Sequence, residues 1–168
     1  MRLTVYTDYS LRVLMYVALR PDRLATISEI AASYGISRNH IMKVVYELGL
    51  GGYIETVRGQ NGGMRLAMRP QDIGLGEIVR RCEPDMALVP CFEPLAVACV
   101  ITPACKLRRA LQRARDSFMS VLDEYTLTDL TENREALSVL LSALPDGPGP
   151  TLAPRRRPAT KPPAPSGD

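Results

Sequence analysis

Residues 28–48 read SEIAASYGISRNHIMKVVYEL, and this stretch decides the fold of the first half of the chain. Apolar residues recur at helical spacing on both sides of Gly35, and the second set includes Ile41, Val44 and Leu48. Gly35 supplies the left-handed backbone conformation that ends one helix and begins a tight turn. Two short helices joined by such a turn predict a helix-turn-helix.

Small polar residues before each apolar series predict where the helices begin. We expect Thr7 or Asp8 to cap a first helix that Pro21 ends, Ser28 to cap a second and Ser37 a third. The first helix would bury an aliphatic stripe of Leu11, Leu14, Met15, Ala18 and Leu19.

The polar side of the third helix predicts contacts with DNA. In a helix-turn-helix, the beginning of the second helix of the motif meets base edges in the major groove. Arginine pairs with guanine, asparagine pairs with adenine, and lysine suits a phosphate. A solvated polar face is the alternative, which the preceding helix and turn disfavour. The expected contact residues on this helix are Ser37, Arg38, Asn39, His40 and Lys43.

A hairpin follows the helix-turn-helix and predicts a wing. Residues 53–57 and 64–67 are expected to be paired strands, and residues 58–63 form a glycine-rich tip between them. Arg58 at this tip can enter a minor groove, where a narrow A·T tract concentrates negative potential, and Asn61 is a second expected DNA contact. The glycines also suggest a phosphate-binding loop, but the Walker pattern ending in Gly-Lys-Ser/Thr is absent.

The second half predicts a short helix, a loop and a long helix. The short helix covers residues 75–81 with Ile78 and Val79 inward, and the long helix starts near Pro103. A heptad-like seam follows the long helix through Leu107, Leu111, Ala114, Phe118, Val121 and Tyr125. A two-fold homodimer is the simplest way to cover this seam, and packing within one subunit is the alternative. We expect a last helix over residues 128–141.

Charge and composition divide the chain into three parts. Residues 1–69 hold nine Lys or Arg against five Asp or Glu, whereas residues 70–144 hold eight against eleven. The basic first part suits a polyanion, and the second part is expected to carry the loop and the dimerisation helix. Residues 145–168 hold eight of the fourteen prolines and three consecutive arginines, which predicts a disordered tail. Because no apolar run is long enough for a membrane span, we expect a soluble cytoplasmic protein.

The cysteines predict a metal centre. Cys82 lies on the short helix and is expected to be a small core residue. Cys91, Cys99 and Cys105 share one loop, with seven and five residues between them. In a cytoplasmic protein, cysteines are more often ligands or redox groups than disulfides. Three thiolates suit an iron–sulfur cluster with a fourth ligand from elsewhere, or a zinc ion completed by a carboxylate.

Several motifs together resemble the Rrf family of winged-helix iron–sulfur regulators. The similarity runs from Met1 to about Leu141. Its most specific stretches are residues 7–12, 37–43, 57–63, 101–105 and 125–130. The resemblance implies a mainly α protein with a small β-wing. It also implies a homodimeric repressor, not an enzyme, that binds a palindromic operator in double-stranded DNA.

The resemblance also implies the metal ligands and the signal. Cys91, Cys99 and Cys105 would hold a 2Fe–2S or 4Fe–4S cluster, and in some members an aspartate matching Asp8 completes the cluster of the other subunit. The recognition helix and the flank of Cys105 resemble members that sense nitric oxide and release DNA when the cluster is nitrosylated. The spacing of Cys91 and Cys99 is longer than in those members and resembles iron-responsive ones.

Two other classes of protein are alternatives from the sequence. A DNA-binding protein with a structural zinc would keep the fold and have no sensor. A redox enzyme or electron carrier would use the same cluster, but it has little need of a wing and a recognition helix.

Overall fold

The computed structural model describes residues 2–83, 85–92 and 99–142. Within that part of the chain, seven α-helices and one antiparallel strand pair follow in the order α1 (Val5–Ala18), α2 (Ile27–Tyr34), α3 (Arg38–Leu50), β1 (Ile54–Val57), β2 (Gly63–Leu66), α4 (Leu75–Cys82), α5 (Lys106–Asp123), α6 (Leu127–Leu130) and α7 (Arg134–Ser142). The predicted fold class, mainly α with a small β-wing, is confirmed. The tail predicted over residues 145–168 lies outside the described residues.

Helix α1 begins one turn earlier than predicted. Thr4 caps it by accepting the backbone N–H of Thr7 at 3.2 Å. Thr7 and Asp8 therefore lie inside the first turn, and the prediction that one of them is the cap is wrong. The helix ends at Ala18, before Pro21, as predicted.

The turn between α2 and α3 has the predicted geometry. Thr26 caps α2 in place of the predicted Ser28, because the Thr26 backbone N–H donates to the Glu29 carboxylate at 2.7 Å and completes a capping box. Gly35 ends α2 with a φ of 61°, in the left-handed region that favours glycine. Ser37 caps α3 as predicted, and the buried side of α3 consists of Ile41, Val44, Val45 and Leu48.

The hairpin of β1 and β2 forms the wing. Ile54 lies opposite Leu66, and Val57 lies opposite Gly63, so each strand is within one residue of its prediction. Two backbone hydrogen bonds join Met64 to Ala25, at 2.8 and 2.9 Å. These bonds attach the wing to the segment before α2, which fixes it beside the helix-turn-helix.

The core lies between α1, α2, α3 and the wing and is largely aliphatic. Among its fully buried members are Val13, Leu14, Ile30, Ile41, Val44 and Leu48. Burial of each such side chain contributes about 1.5–3 kcal/mol relative to exposure. Helix α1 contributes to this core along most of its length, so its position and that of α3 depend on each other.

Helices α4 and α5 approach each other closely at Gly76. A Cβ atom at Gly76 would lie 2.0 Å from the Oδ1 atom of Asp123, so a larger residue there would displace the Asp123 carboxylate. Arg80 pairs with the same Asp123 carboxylate through two hydrogen bonds, of 2.5 and 2.7 Å. Helix α5 begins at Lys106, shortly after the predicted start near Pro103.

The apolar seam of α5 is only partly covered within the subunit, since Leu111 and Phe118 are half-buried. Leu107 is 66% exposed and Val121 is 52% exposed, whereas Met119 is buried. Tyr125 lies beyond the end of α5 at Asp123, so the predicted seam is one step too long. The single subunit therefore has apolar side chains on its surface, as a two-fold interface would require.

The single last helix predicted over residues 128–141 is wrong. Helix α6 ends at Leu130, where the Thr131 hydroxyl donates to the Leu127 carbonyl at 2.9 Å, and α7 starts only at Arg134. Burial of Leu127 holds α6 against the core.

No helix within residues 2–83, 85–92 or 99–142 has the length and apolar character needed to span a membrane.

Candidate DNA interface and cysteine loop

The exposed side of α3 is the candidate DNA-reading surface. Because Ile41, Val44, Val45 and Leu48 are buried, helix geometry directs Asn39 and Lys43 to the opposite side, where both are exposed. Arg38 in the first turn is also exposed. This surface therefore offers a guanidinium, an amide and an ammonium group to a nucleic acid.

The His40 side chain contacts two other side chains, those of Ser37 and Tyr9. The Ser37 hydroxyl lies 3.0 Å from the Nδ1 atom of His40, and the Tyr9 ring of α1 lies 5.9 Å from the imidazole ring. The Ser37 oxygen also accepts the His40 backbone N–H at 3.4 Å as the helix cap. Ser37 therefore orients the His40 ring beside Tyr9, and the predicted DNA contacts of Ser37 and His40 stay predictions.

The wing places Arg58 and Asn61 at its exposed tip. Gly62 is required there, because a Cβ atom would lie 2.4 Å from the Val57 carbonyl oxygen. At the middle of the hairpin, Arg65 pairs with Glu55 across the two strands at 3.0 Å. Arg58 at the tip, by contrast, lies where its side chain could enter a DNA groove.

Besides Leu50 at its end, α3 has two exposed apolar residues that sequence reasoning missed. Met42 is 52% exposed and Tyr46 is 64% exposed, beside Lys43. Side chains of this kind can contact the methyl group of thymine. The signal was present in the sequence, because the buried positions of a helix also determine which positions face outward.

Cys82 is set apart from the other cysteines by its burial. It ends α4 and is 8% exposed, so the prediction of a core residue is confirmed. Burial raises the pKa of the Cys82 thiol above its ordinary value. A buried thiol of this kind is poorly suited to reaction or ligation.

The other three cysteines lie at separate points of one loop. Cys91 is half-buried in a short 3₁₀ turn over Pro90–Phe92, Cys99 is exposed, and Cys105 caps α5. All three are free thiols. Within residues 2–83, 85–92 and 99–142 of the single subunit, no three Cys, His, Asp or Glu side chains come together as a metal site. The ligand assignment therefore stays a prediction, and the donor chemistry suits a soft metal.

The first turn of α5 has an unusual charge. Lys106, Arg108 and Arg109 lie there with no acidic residue, although positive charge is unfavourable at the start of a helix. The Arg108 backbone N–H donates to the Cys105 sulfur at 3.3 Å. An anionic centre held at Cys105 would compensate this charge, which is the physical reason to place thiolate chemistry at this end of the loop.

Asp8 is held by Arg12 one turn along α1. The Arg12 Nε atom donates to one carboxylate oxygen at 3.0 Å. The other oxygen lies 3.0 Å from the guanidinium of Arg12 but is buried and has no hydrogen bond of proper geometry among the described residues. In the single subunit both Asp8 oxygens therefore face Arg12, and among the described residues no group of cysteines surrounds Asp8, so its role as a ligand stays a prediction.

Glu83 joins the beginning of the cysteine loop to α1. One oxygen of its carboxylate accepts the Thr4 backbone N–H at 2.8 Å, the Thr4 hydroxyl at 3.1 Å and the Thr7 hydroxyl. Thr7 is fully buried. Sequence reasoning missed this contact because nothing in the spacing of residues this far apart indicates it. The start of α1 is therefore attached to the residue that follows Cys82.

A recognition helix with a hairpin wing defines a winged-helix DNA-binding protein of the transcriptional regulator class. The Rrf2 family, described as an iron-dependent transcriptional regulator, matches residues 3–133. The chain therefore belongs to the Rrf2 family, as its motifs predicted, and it is a transcriptional regulator rather than an enzyme.

Similar proteins support this assignment. The HTH-type transcriptional regulator NsrR of Bacillus subtilis (strain 168) is 51% identical over 142 residues, which cover 84% of this chain and 97% of that protein. NsrR of Geobacillus kaustophilus (strain HTA426) is also 51% identical over 142 residues, with the same coverage of both chains.

Solved structures share the fold. CymR (YrzC), the global cysteine regulator of B. subtilis, is 26% identical with a TM-score of 0.66, over 79% of this chain and 98% of that one. T. potens IscR is 23% identical with a TM-score of 0.63, over 82% of this chain and 90% of that one. The second likeness concerns the fold alone.

Proposed function

We propose that this protein is an iron–sulfur-dependent repressor that releases DNA in response to nitric oxide. The observation that carries the proposal is the Glu83 contact, because it joins the cysteine loop to α1, which packs on the DNA-reading helix α3. A sensor needs an element that couples its two sites. Here the position of α1 would depend on the cysteine loop and would in turn affect the DNA-reading helix. The similarity to regulators named NsrR supports nitric oxide as the signal.

Cys91, Cys99 and Cys105 would hold the cluster, with Asp8 of a second subunit as the fourth ligand. Three free thiols are suitable donors, and the Asp8 carboxylate would have to leave its pairing with Arg12 to become the fourth. When bound, the cluster supplies iron that nitric oxide can ligate. Arg108 at the base of the loop would balance the negative charge of the thiolates.

The regulatory step follows from what the chain's own residues hold together. With the loop closed, Glu83 keeps Thr4 and Thr7 in place, and α1 supports α3. When the loop opens, α1 loses part of this support and the two recognition helices of a dimer change their spacing. A dimer of this class reads half-sites about 34 Å apart, or a multiple of that. Regulation then needs a difference in DNA affinity of about 1–3 kcal/mol or more.

The seam of α5 supports a homodimer. Leu107 and Val121 are more than half exposed on the single subunit, and a two-fold contact between copies would cover both. Sedimentation equilibrium of the wild type and of Leu107→Glu/Val121→Glu tests this. A dimeric wild type and a monomeric variant are expected, whereas a monomeric wild type would contradict the dimer.

An iron-responsive repressor is the second candidate. It is favoured by the seven residues between Cys91 and Cys99, a spacing that resembles iron-responsive members of the family. Anaerobically purified protein distinguishes the candidates when bound DNA is exposed in parallel to nitric oxide and to an iron chelator. Rapid release by nitric oxide supports the first, and release by the chelator alone supports the second. A colourless protein that holds zinc without iron or sulfide contradicts both.

A further inference from the structure

Phe92 lies between two arginines of α5. Its ring centroid is 5.6 Å from the guanidinium carbon of Arg108 and 5.4 Å from that of Arg115. These arginines are seven residues apart, so they lie on the same side of the helix, two turns from each other. Arginine is attracted to the face of an aromatic ring at such distances. Phe92 thus connects the loop to α5 between its first turn and its middle.

This contact brings the two ends of the cysteine loop to the same helix. Phe92 directly follows Cys91 in the chain, and Cys105 is the cap from which α5 begins. Arg108 contacts both ends, because its guanidinium faces Phe92 and its backbone N–H donates to the Cys105 sulfur at 3.3 Å. The Nε atom of Arg108 is buried and has no hydrogen-bond partner among the described residues.

We propose that Phe92 is a positioning residue that docks the Cys91 end of the loop onto α5, and so holds Cys91 near Cys105 before any metal binds. Its benefit to metal binding rests on the proposed function, but the docking itself is a property of the metal-free chain. Without the contact, closing the segment between the two cysteines costs the entropy of a flexible loop. With it, the residue next to Cys91 is held against the helix that Cys105 caps.

The equilibrium between dithiol and disulfide in the metal-free full chain tests this. In a Cys82→Ser/Cys99→Ser background only Cys91 and Cys105 remain, and glutathione buffers of stated ratio give the effective concentration of one thiol near the other. Phe92→Ala should lower this concentration by about fivefold or more, since two cation–π contacts are lost. Phe92→Leu, which keeps an apolar side chain without the ring, should also lower it. Phe92→Tyr should restore it.

Arg113→Ala is the matched control, because Arg113 is an exposed arginine on another side of α5 and should leave the equilibrium unchanged. Circular dichroism confirms that each variant is folded. Equal effective concentrations in wild type, Phe92→Ala and Phe92→Leu would overturn the inference. A wild type that binds no iron but shows the Phe92 effect would support the inference and contradict the proposed function.

Discussion

Replacing Glu83 with alanine should loosen the start of α1 and uncouple the loop from the DNA-reading helix. Three donors share one carboxylate oxygen of Glu83: the Thr4 N–H at 2.8 Å, the Thr4 hydroxyl at 3.1 Å and the Thr7 hydroxyl. Removal of the acceptor leaves Thr7 fully buried with only the Thr4 hydroxyl, 3.0 Å away, as a side-chain partner.

The size of the effect follows from the number and kind of these bonds. A hydrogen bond to a charged group contributes about 1.5–3 kcal/mol net. Glu83 is only half-buried and the two threonines also contact each other, so the three bonds together should contribute about 2–4 kcal/mol. For a folded unit of this size, about 1 kcal/mol corresponds to about 3–5 °C in Tm. Glu83→Ala should therefore lower the Tm by about 6–20 °C.

Thermal unfolding of the metal-free protein, followed by circular dichroism, measures this change. Glu135→Ala is the control, because Glu135 is an exposed glutamate of α7 and its loss should change the stability by less than about 0.5 kcal/mol. In the metal-loaded protein, Glu83→Ala should also bind DNA as weakly as the metal-free wild type. A variant that melts with the wild type and keeps regulated DNA binding would refute the reasoning.

Three further predictions concern the proposed ligands and DNA contacts. Cys99→Ser should abolish the brown colour and the regulation of the anaerobic protein, whereas Cys82→Ser should retain both because Cys82 is buried in the core. Lys43→Ala and Arg58→Ala should each weaken DNA binding without loss of colour, and Lys43→Ala should lower the salt slope by about one unit per subunit if it touches phosphate. Asp8→Ala should change the visible spectrum and the reactivity toward nitric oxide while the fold persists.

Each of these predictions has an outcome that would contradict it. A brown Cys99→Ser protein that still responds to nitric oxide would remove Cys99 from the ligand set. Wild-type DNA affinity in both Lys43→Ala and Arg58→Ala would show that the contacts lie elsewhere on the surface. If the spectrum of Asp8→Ala overlays that of the wild type, another group is the fourth ligand, and Asp8 only pairs with Arg12.

The helix-turn-helix could be predicted from the sequence because its determinants are local. Gly35 and Ser37 each act on backbone within a few residues of themselves, and the buried stripe of α3 follows directly from helical spacing. The caps of α1 and α2 were misplaced because several threonines and serines compete there. For α2 the sequence does hold the signal, because Thr26 and Glu29 have the spacing of a capping box and Ser28 has no such partner.

The parts of the candidate site that depend on distant contacts could not be predicted. The Glu83 contact with Thr4 spans nearly half the chain, and the approach of Phe92 to α5 depends on the path of the loop. The cysteine spacing indicated metal chemistry, but the single subunit does not gather the three thiols among its described residues.

The central claim is tested most directly by titrating anaerobic, metal-loaded protein with nitric oxide. Visible absorbance and DNA binding are measured simultaneously at each addition. A DNA fragment selected from a random pool by the wild-type protein serves as the target. The account predicts that absorbance and bound DNA fall together as nitric oxide is added, and that Glu83→Ala loses the second response while it keeps the first. Full DNA binding after the absorbance change is complete would contradict it.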